Sequence, residues 1–474
     1  MVSAKAGRIV ARVLVICCLS MATGLFSLAA AESRPVAATA APSESLIATE
    51  TDYNILSPAI EQSSVAALVI ENSRKRHLFE QNQSVRMNIP ASSKLMTALI
   101  ACERLPLDTQ VTISSLAAEI ADEEDTPDGI TLRSGDKYPL RYLLHRLIYY
   151  SSDAAALAIA EQISSVENRF VELMNARAGS LQMGETVYLN STGQPVYPPD
   201  PGLPEGSAGE NLQDLQYTTL DDMSLLAFQA ISNQVLNAIL TTPNQFIIIG
   251  ESALANMQNR LSDLWTRSEG MIRGAFYSEW QGNTYMVAIG TVNSIGLIAV
   301  TAAGSRDEAE NDLIALFKGC KDFYISSPLV VAGDPFTGNR EQTIDGEVFG
   351  LVYKQTVYYV RPVSSLYLKD TILYKSFGPF SRPIQRSMTV GQVTFELYDG
   401  TKIAVDVVPD RQILSSISII DTALNELQRN SNLTILLLIC GVTLILVLAW
   451  QIIAGTTRLI RLVHLIILEK RSRR

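Results

Sequence analysis

Histidine is scarce in this chain of 474 residues: only His77, His145 and His464 occur, none near another in sequence. That excludes a zinc hydrolase built on a histidine-rich ligand set. Cysteine is sparse as well. Cys17, Cys18, Cys102, Cys320 and Cys440 form no C-x-x-C pair and no disulfide-dense pattern. Cys17, Cys18 and Cys440 lie in apolar runs. Cys102 and Cys320 are expected to be buried free thiols, because a free cysteine packs as a small hydrophobe. The body of the chain also lacks a net positive charge. Residues 1–31 carry +3 and residues 455–474 carry +5, so a total of −10 leaves −18 on residues 32–454. A body with no basic excess argues against nucleic-acid binding. Basic ends on an acidic body place those ends near a membrane.

Both ends carry apolar runs. Residues 13–28 (VLVICCLSMATGLFSL) follow a basic stretch and precede Ala29-Ala30-Ala31. This pattern predicts a secretory signal over 1–31, with an uncleaved N-terminal anchor as the alternative. Residues 32–54 follow as a flexible spacer that opens with Ala, Ser, Thr and Pro. Residues 433–454 (LTILLLICGVTLILVLAWQIIA) are uncharged and long enough to cross a hydrocarbon core of about 30 Å. The basic tail over 455–474 is then expected in the cytoplasm, and residues 32–432 outside it. Between Arg458 and Lys470 apolar residues alternate with arginine at helical spacing, as in an interfacial helix.

Between the ends, residues 64–80 read as strand, charged turn (ENSRKR) and strand. Pro90 opens a helix that runs through SSKLMTALIACERL. A second helical stretch covers 140–163, with small residues from Ala154 to Ala160 that permit close packing, and a third covers 168–180. Gly, Pro and Asp make 192–215 a loop. Two β-runs, TYMVAIGTV and GLIAVTAAG, precede a helix over 306–320. Strands at both sequence ends with helices between them predict an α/β domain over 55–320. Residues 321–412 alternate β-branched, aromatic and polar residues and predict a small all-β domain. Residues 413–432 are expected to be a helical connector to the membrane span.

Four stretches carry a resemblance: LFEQNQSVRMNIPASSKLMTALIACE, TLRSGDKYPLRYLLHRLIYYSSDAAALAIAE, FVELMNARAGSLQMGETVYLNSTG with YTTLDDM, and GLIAV with SRDEAENDLIALF. They resemble the low-molecular-mass penicillin-binding proteins, the serine-type D-alanyl-D-alanine carboxypeptidases, over about residues 60–410. The resemblance implies a transpeptidase-like (β-lactamase-like) α/β fold with the β-rich domain behind it. It also implies peptidoglycan stem peptides as the substrate class and no cofactor or metal. Fold alone does not carry the activity.

The family's first motif, Ser-x-x-Lys, sets hydroxyl and amine on one helical face so that the amine can take the hydroxyl proton. An alignment without gaps puts the Lys on Lys94 and the nucleophile position on Ala91. Ser92 is two residues from Lys94, about 200° around a helix. Matching Pro90-Ala91-Ser92 to the family's Pro-Ala-Ser, with one residue deleted before Lys94, would instead make Ser92 the nucleophile. Helix capping or first-turn solvation is the structural role for Ser92 or Ser93. At the second motif, Ser-x-Asn, stand Ser151-Ser152-Asp153. An ionised carboxylate only accepts hydrogen bonds and sets a negative charge near an anionic substrate. Asp153 has an alternative as N-cap of the alanine-rich helix. At the third motif, Gly-x-Lys-Thr-Gly, stand Gly270-Met271-Ile272-Arg273-Gly274. Arg273 is either a bidentate grip for a carboxylate or a solvated edge charge, with Gly274 retained.

Three altered motifs predict a binding or scaffolding protein of the cell envelope, taking stem peptide or a partner protein without cleaving it. A divergent active carboxypeptidase using Ser92, Lys94 and Ser151 is the second reading. The third is a purely structural protein with Ile272 and Tyr150 filling the cleft. The acidic stretch Asp122–Asp128 does not fit a calcium loop and is expected to be solvated. Tyr149 and Tyr150 are expected to pack in the core or to wall the cleft.

Overall fold

The computed structural model describes residues 60, 63–194, 216–250, 253–415 and 431–472. The expected signal segment, the spacer up to residue 54 and residues 416–430 of the expected connector lie outside the described residues.

The α/β domain opens with β1 (Ala66–Glu71) and β2 (His77–Gln81). Helices α1 (Pro90–Arg104) and α2 (Ser115–Asp122) flank a short strand β3 (Gln110–Thr112), which pairs with β4 (Lys137–Pro139). Then come α3 (Leu140–Tyr150), α4 (Asp153–Ser164), α5 (Glu167–Ser180), α6 (Leu220–Ser232) and α7 (Gln234–Thr241). A hairpin β5 (Asn244–Ile249) and β6 (Ala253–Gln258) and a short helix α8 (Asp263–Arg267) lead into the meander β7 (Ile272–Trp280), β8 (Asn283–Val292) and β9 (Ile295–Ala303). Helix α9 (Arg306–Phe323) closes the domain.

The meander joins the first two strands in one antiparallel sheet of order β2-β1-β9-β8-β7. β1 is buried at all of its positions, as a strand covered on both faces must be. Each face has its own core. Leu68, Ile70, Phe276, Ile298 and Val300 face the helical layer of α1, α3, α4 and α6. Val69, Ile272, Ala275, Leu297 and Ala299 face Leu313, Leu316 and Phe317 of α9. Period-two alternation along β9 sends neighbours to opposite cores. Inside the helical layer, α4 buries Ala154 to Ala160 completely except for Leu157 at 3%. With methyl side chains it packs at once against α1, α2, α3 and α5.

The chain then changes character. β10 (Tyr324–Val330), β11 (Pro335–Gln342), β12 (Val348–Tyr353), β13 (Val357–Pro362), β14 (Leu368–Ser376), β15 (Gly391–Leu397) and β16 (Lys402–Pro409) follow without a long helix between them. β10 pairs with β13, and the rest form a sheet of order β11-β12-β16-β15-β14. In β15 the inward residues Val393, Phe395 and Leu397 alternate with Gln392, Thr394 and Glu396, so one face makes a separate core with Phe349, Leu351 and Val405.

A continuous helix α10 (Ser431–Ser472) ends the described chain. Its segment Leu438–Val463 is long and apolar enough to cross a membrane. The helix therefore runs on through Arg458 and Arg461. Cys102, Cys320 and Cys440 are free thiols. Cys320 is buried and Cys102 half-buried, and burial pushes both of these thiols up to about 12.

Candidate functional site

The site is made where the first turn of α1 meets the α3–α4 corner. Helix α1 starts at Pro90 with no side-chain cap, its Ncap being Ile89. Proline at N1 lacks the N–H that would go unsatisfied there. Its first turn is locked by a polar loop. Gln216 Nε2 donates to Asn88 Oδ1 (3.0 Å) and to the Gly193 carbonyl (2.9 Å). Gly193 has φ +80°, and a Cβ there would lie 2.4 Å from Pro90 Cα, so only glycine lets this loop close on the helix.

Lys94 projects from this turn with 2% of its side chain exposed. Its amine donates to Ser151 Oγ at 2.9 Å and stands 2.7 Å from Asp153 Oδ1. The approach to Oδ1 is off the hydrogen-bond direction, so the contact with Asp153 is charge to charge while the directed bond goes to Ser151. Ser151 is the left-handed C-cap of α3, at φ 58° and ψ 33°. That tight turn lets α4 begin two residues later and brings Asp153, the first residue of α4, over the lysine.

Capping of α4 is done by other residues than Asp153. Ser152 is the Ncap and accepts from Ala155 N at 3.1 Å. Glu124 accepts from Ser152 Oγ at 2.6 Å and from Ala154 N at 2.9 Å. Asp153 is thereby free to face Lys94. Burial holds the Glu124 carboxyl above its ordinary value, against the hydrogen bonds from Ser152 and Ala154.

The acidic stretch is therefore only partly solvated. Asp122, Glu123 and Asp125 are exposed, whereas the Asp128 side chain has no exposure and stands 3.5 Å from the equally unexposed Arg146. Arg146 also donates to the Ile130 carbonyl (2.6 Å) and Tyr142 Oη (3.1 Å), and Tyr142 donates to Asp128 (2.7 Å). A buried guanidinium draws Asp128, and Glu124 at 4.0 Å, inward from a run that would otherwise face water.

The remaining residues singled out in the sequence lie elsewhere. Ala91, one helical turn before Lys94, is buried and carries only a methyl group. Ser92 is 1% exposed, and its hydroxyl is bonded at 2.7 Å to Tyr188 Oη, not to Lys94. Ser93 is buried against Gly193. Neither serine caps the helix. Tyr150 is 8% exposed, with Arg260 over its ring at 5.7 Å, and Tyr149 donates to the Thr242 carbonyl at 2.7 Å.

On the sheet side, β7 is an edge strand. Ile272 opposes Gly290 and Gly274 opposes Ile289, so Arg273 is the extra residue of a bulge. The Arg273 side chain is exposed and its carbonyl accepts from Trp265 Nε1 at 2.6 Å. Ile272 is fully buried on the α9 side of the sheet. At Gly274 an added Cβ would lie 2.8 Å from the Leu240 carbonyl, because the end of α7 presses on the strand. The cavity left between α1, α7 and β7, lined by Leu95, Leu240 and Phe276 among others, is about 10 Å³, room for no more than one water. Among the described residues no group of three or more His, Cys, Asp or Glu is placed to hold a metal ion.

Chemically, the assembled part is a buried ammonium balanced by a carboxylate and bonded to one hydroxyl. A general base needs an unprotonated amine beside the hydroxyl it activates. Among the described residues the only hydroxyl bonded to Lys94 is that of Ser151. Two partners escaped the sequence reading: Glu124, 28 residues before Ser152, and Tyr188, 96 residues after Ser92. Neither has a local signal, since an acid in an acidic run and a tyrosine in a loop look alike whether buried or exposed.

A family model described as D-alanyl-D-alanine carboxypeptidase matches residues 53–303, more than half of the chain. The D-alanyl-D-alanine carboxypeptidase DacA of Escherichia coli is 24% identical over 372 residues, 74% of this chain and 84% of that protein. A D-alanyl-D-alanine endopeptidase of Pseudomonas aeruginosa is 30% identical over 136 residues, 28% of this chain and 42% of that protein. The match to DacF of Bacillus subtilis likewise spans 33% of its length. Among solved structures, penicillin-binding protein 3 of Streptococcus pneumoniae, described as a peptidoglycan synthesis regulatory factor, aligns with a TM-score of 0.58 at 17% identity, over 74% of this chain and 100% of its own. Penicillin-binding protein 5 of Haemophilus influenzae aligns with a TM-score of 0.55 at 17% identity, over 75% and 98%. At these identities the structural likeness speaks for the fold alone.

Proposed function

The chain belongs to the D-alanyl-D-alanine carboxypeptidase family, and from that premise we propose that it is a catalytically silent member. In this reading it binds peptidoglycan stem peptide, or a partner protein of the cell envelope, and does not cleave it. The helix α10 anchors it in the membrane as a single span, with the α/β and β-rich domains outside the cytoplasm and the basic tail inside. The observation that carries the reading is the state of Lys94. Its amine is committed to Ser151 and Asp153, the residue one turn before it is Ala91, and the nearby Ser92 hydroxyl is committed to Tyr188. An acyl-transfer site of this family needs a nucleophile one turn before the base, and that position holds the methyl group of Ala91, while the hydroxyl on Lys94 is that of Ser151, at the second motif. Asp153 and Arg273 remain as charges able to contact a peptide, and Gly274 keeps the strand edge close to α7.

The test is acylation. The full-length chain is incubated with a fluorescent penicillin, which acylates competent nucleophiles of this kind, beside an active family control, and read by intact mass. No adduct is expected from the wild type or from Ser92→Ala. An adduct that disappears in Ser92→Ala would replace this reading with a divergent active enzyme. The double variant Ala91→Ser, Asp153→Asn supplies both the hydroxyl and a lysine free of its carboxylate. It is expected to form more adduct than either single variant. Retention of the wild-type chain on insoluble peptidoglycan, lost in Arg273→Ala, would support stem peptide over a protein partner.

A further inference from the structure

We infer a second contact with the membrane: the turn between β11 and β12 sets its apolar corner, Ile344, into the lipid surface beside the point where the chain leaves the β-rich domain for α10. The inference rests on the reading of α10 as a membrane span and is independent of the state of Lys94. The turn is closed by a bond from Gly346 N to the Thr343 carbonyl at 2.9 Å, so Ile344 is its first corner. Corners of such turns are ordinarily Pro, Asp, Asn, Ser or Gly. Here a β-branched apolar side chain is 72% exposed, more than Ile452 in the middle of α10. The corner is also held in place. Ile344 N donates to the Phe380 carbonyl at 2.9 Å, and the buried Thr343 accepts from Glu347 N at 3.0 Å. Val348, at the start of β12, is exposed as well.

The place of the turn selects the partner. Arg382 pairs with Asp345 at 2.6 Å and with Glu347 at 2.5 Å, and it donates to the Leu414 carbonyl at 3.4 Å. Arg411 pairs with Glu347 at 3.3 Å and donates to the Val348 carbonyl at 2.8 Å. The turn is thus bonded to the segment by which the chain leaves the β-rich domain. Only residues 416–430 separate that segment from Ser431, where α10 begins. Along the chain, no other part of the two domains is tied as closely to the membrane that α10 crosses. Such a tether holds the turn at high effective concentration beside the lipid, so a contact too weak to retain a free domain becomes occupied.

The charges fit the same partner. Residues 32–454 sum to −18, which repels the body of the chain from anionic lipid. At this corner Asp345 and Glu347 are balanced by Arg382 and Arg411, and the exposed Arg386 adds one positive charge. An isoleucine among arginines suits a lipid surface: the apolar side chain enters the acyl boundary and the guanidinium groups stay with the phosphates. A protein partner would need far more area than one turn corner and its neighbour, since stable interfaces bury about 800 Å² a side.

The test is photocrosslinking of the full-length chain in nanodiscs of phosphatidylethanolamine and phosphatidylglycerol, read by intact mass. A benzophenone amino acid replaces one residue at a time. In place of Leu446 it reports the span itself and is expected to take lipid. In place of Ile344 it is expected to take lipid too. Ile248, on the β5–β6 hairpin of the α/β domain, is 69% exposed and serves as the matched control. The yield there is expected to be lower than at Ile344 by about fivefold or more. Lipid at position 446 with none at 344, or with as much at 248 as at 344, would overturn the inference and leave the span standing. No lipid at 446 would remove the span and the inference with it. A crosslink from position 344 to a second copy of the chain in place of lipid would also overturn it.

Discussion

The two walls that meet around the candidate site have gone different ways. The helical wall, α1 with the α3–α4 corner, has converging polar groups: Ser151 lies within hydrogen-bond distance and Asp153 within ion-pair distance of the buried Lys94. The sheet wall, the start of β7, is core and edge. Ile272 packs behind the sheet, Arg273 is expelled by a bulge, and α7 covers Gly274. The difference teaches that polar groups persist where other structure depends on them. Ser152 caps α4, Glu124 holds Ser152, and Arg146 fixes the loop that carries Glu124 and Asp128. At position 272 a fully buried isoleucine contributes hydrophobic free energy.

The comparison can be broken most directly at Ile272. If the sheet wall is core, Ile272→Lys buries an unpaired ammonium and destabilises the chain by more than about 4 kcal/mol, measured by the shift of the urea midpoint. An unchanged midpoint would mean that the side chain can turn toward the cleft, and the contrast between the walls would fall. On the helical wall, Arg146→Ala strands the Asp128 carboxylate and is expected to cost about 3–5 kcal/mol in the same assay. Lys94→Met is smaller. It leaves Asp153 unpaired, but that side chain is 23% exposed, so about 2 kcal/mol is expected after allowance for water.

The smallest effect sharpens the role of Glu124. Burial favours its protonated form in the fold, so its contribution is fully present below its ordinary value of 4.5 and is lost as pH rises through the higher folded value. Glu124→Gln should therefore gain stability relative to the wild type as pH is raised from about 4 to about 7. A constant difference between the two over that range would show that the carboxyl is ordinary and that Glu124 acts only through its hydrogen bonds.

Much of the fold was legible because it is written in periodicity. The alternation of GQVTFEL gives β15, the apolar run gives α10, and Pro90 marks the start of α1. Of the helical half of the site, Lys94 and Ser151 were singled out separately in the sequence, and the fold sets them 2.9 Å apart. Other features had no signal in spacing. A bulge at Arg273 adds one residue to a strand without disturbing its hydrophobic pattern enough to be read. Ser152 and Asp153 are both good N-caps, and which one takes the position depends on Glu124 arriving from a distant loop. Likewise the inward turn of Asp128 depends on Arg146, whose own sequence neighbours are those of any amphipathic helix.

The order of strands in the main sheet has a consequence in time. Ala66 in β1 pairs with Ala302 in β9, and between them lie all the helices of the Lys94 site. At about 5–20 residues per second of synthesis, the first hairpin waits roughly ten to fifty seconds for the strand that completes it. During that interval its β1 edge is an open template, apolar but for Glu71 at its end, and such a contact order slows folding and invites mispairing. The helices of the Lys94 corner all lie in the chain between these two strands, so every residue of that corner is synthesised before the strand that completes the sheet behind it.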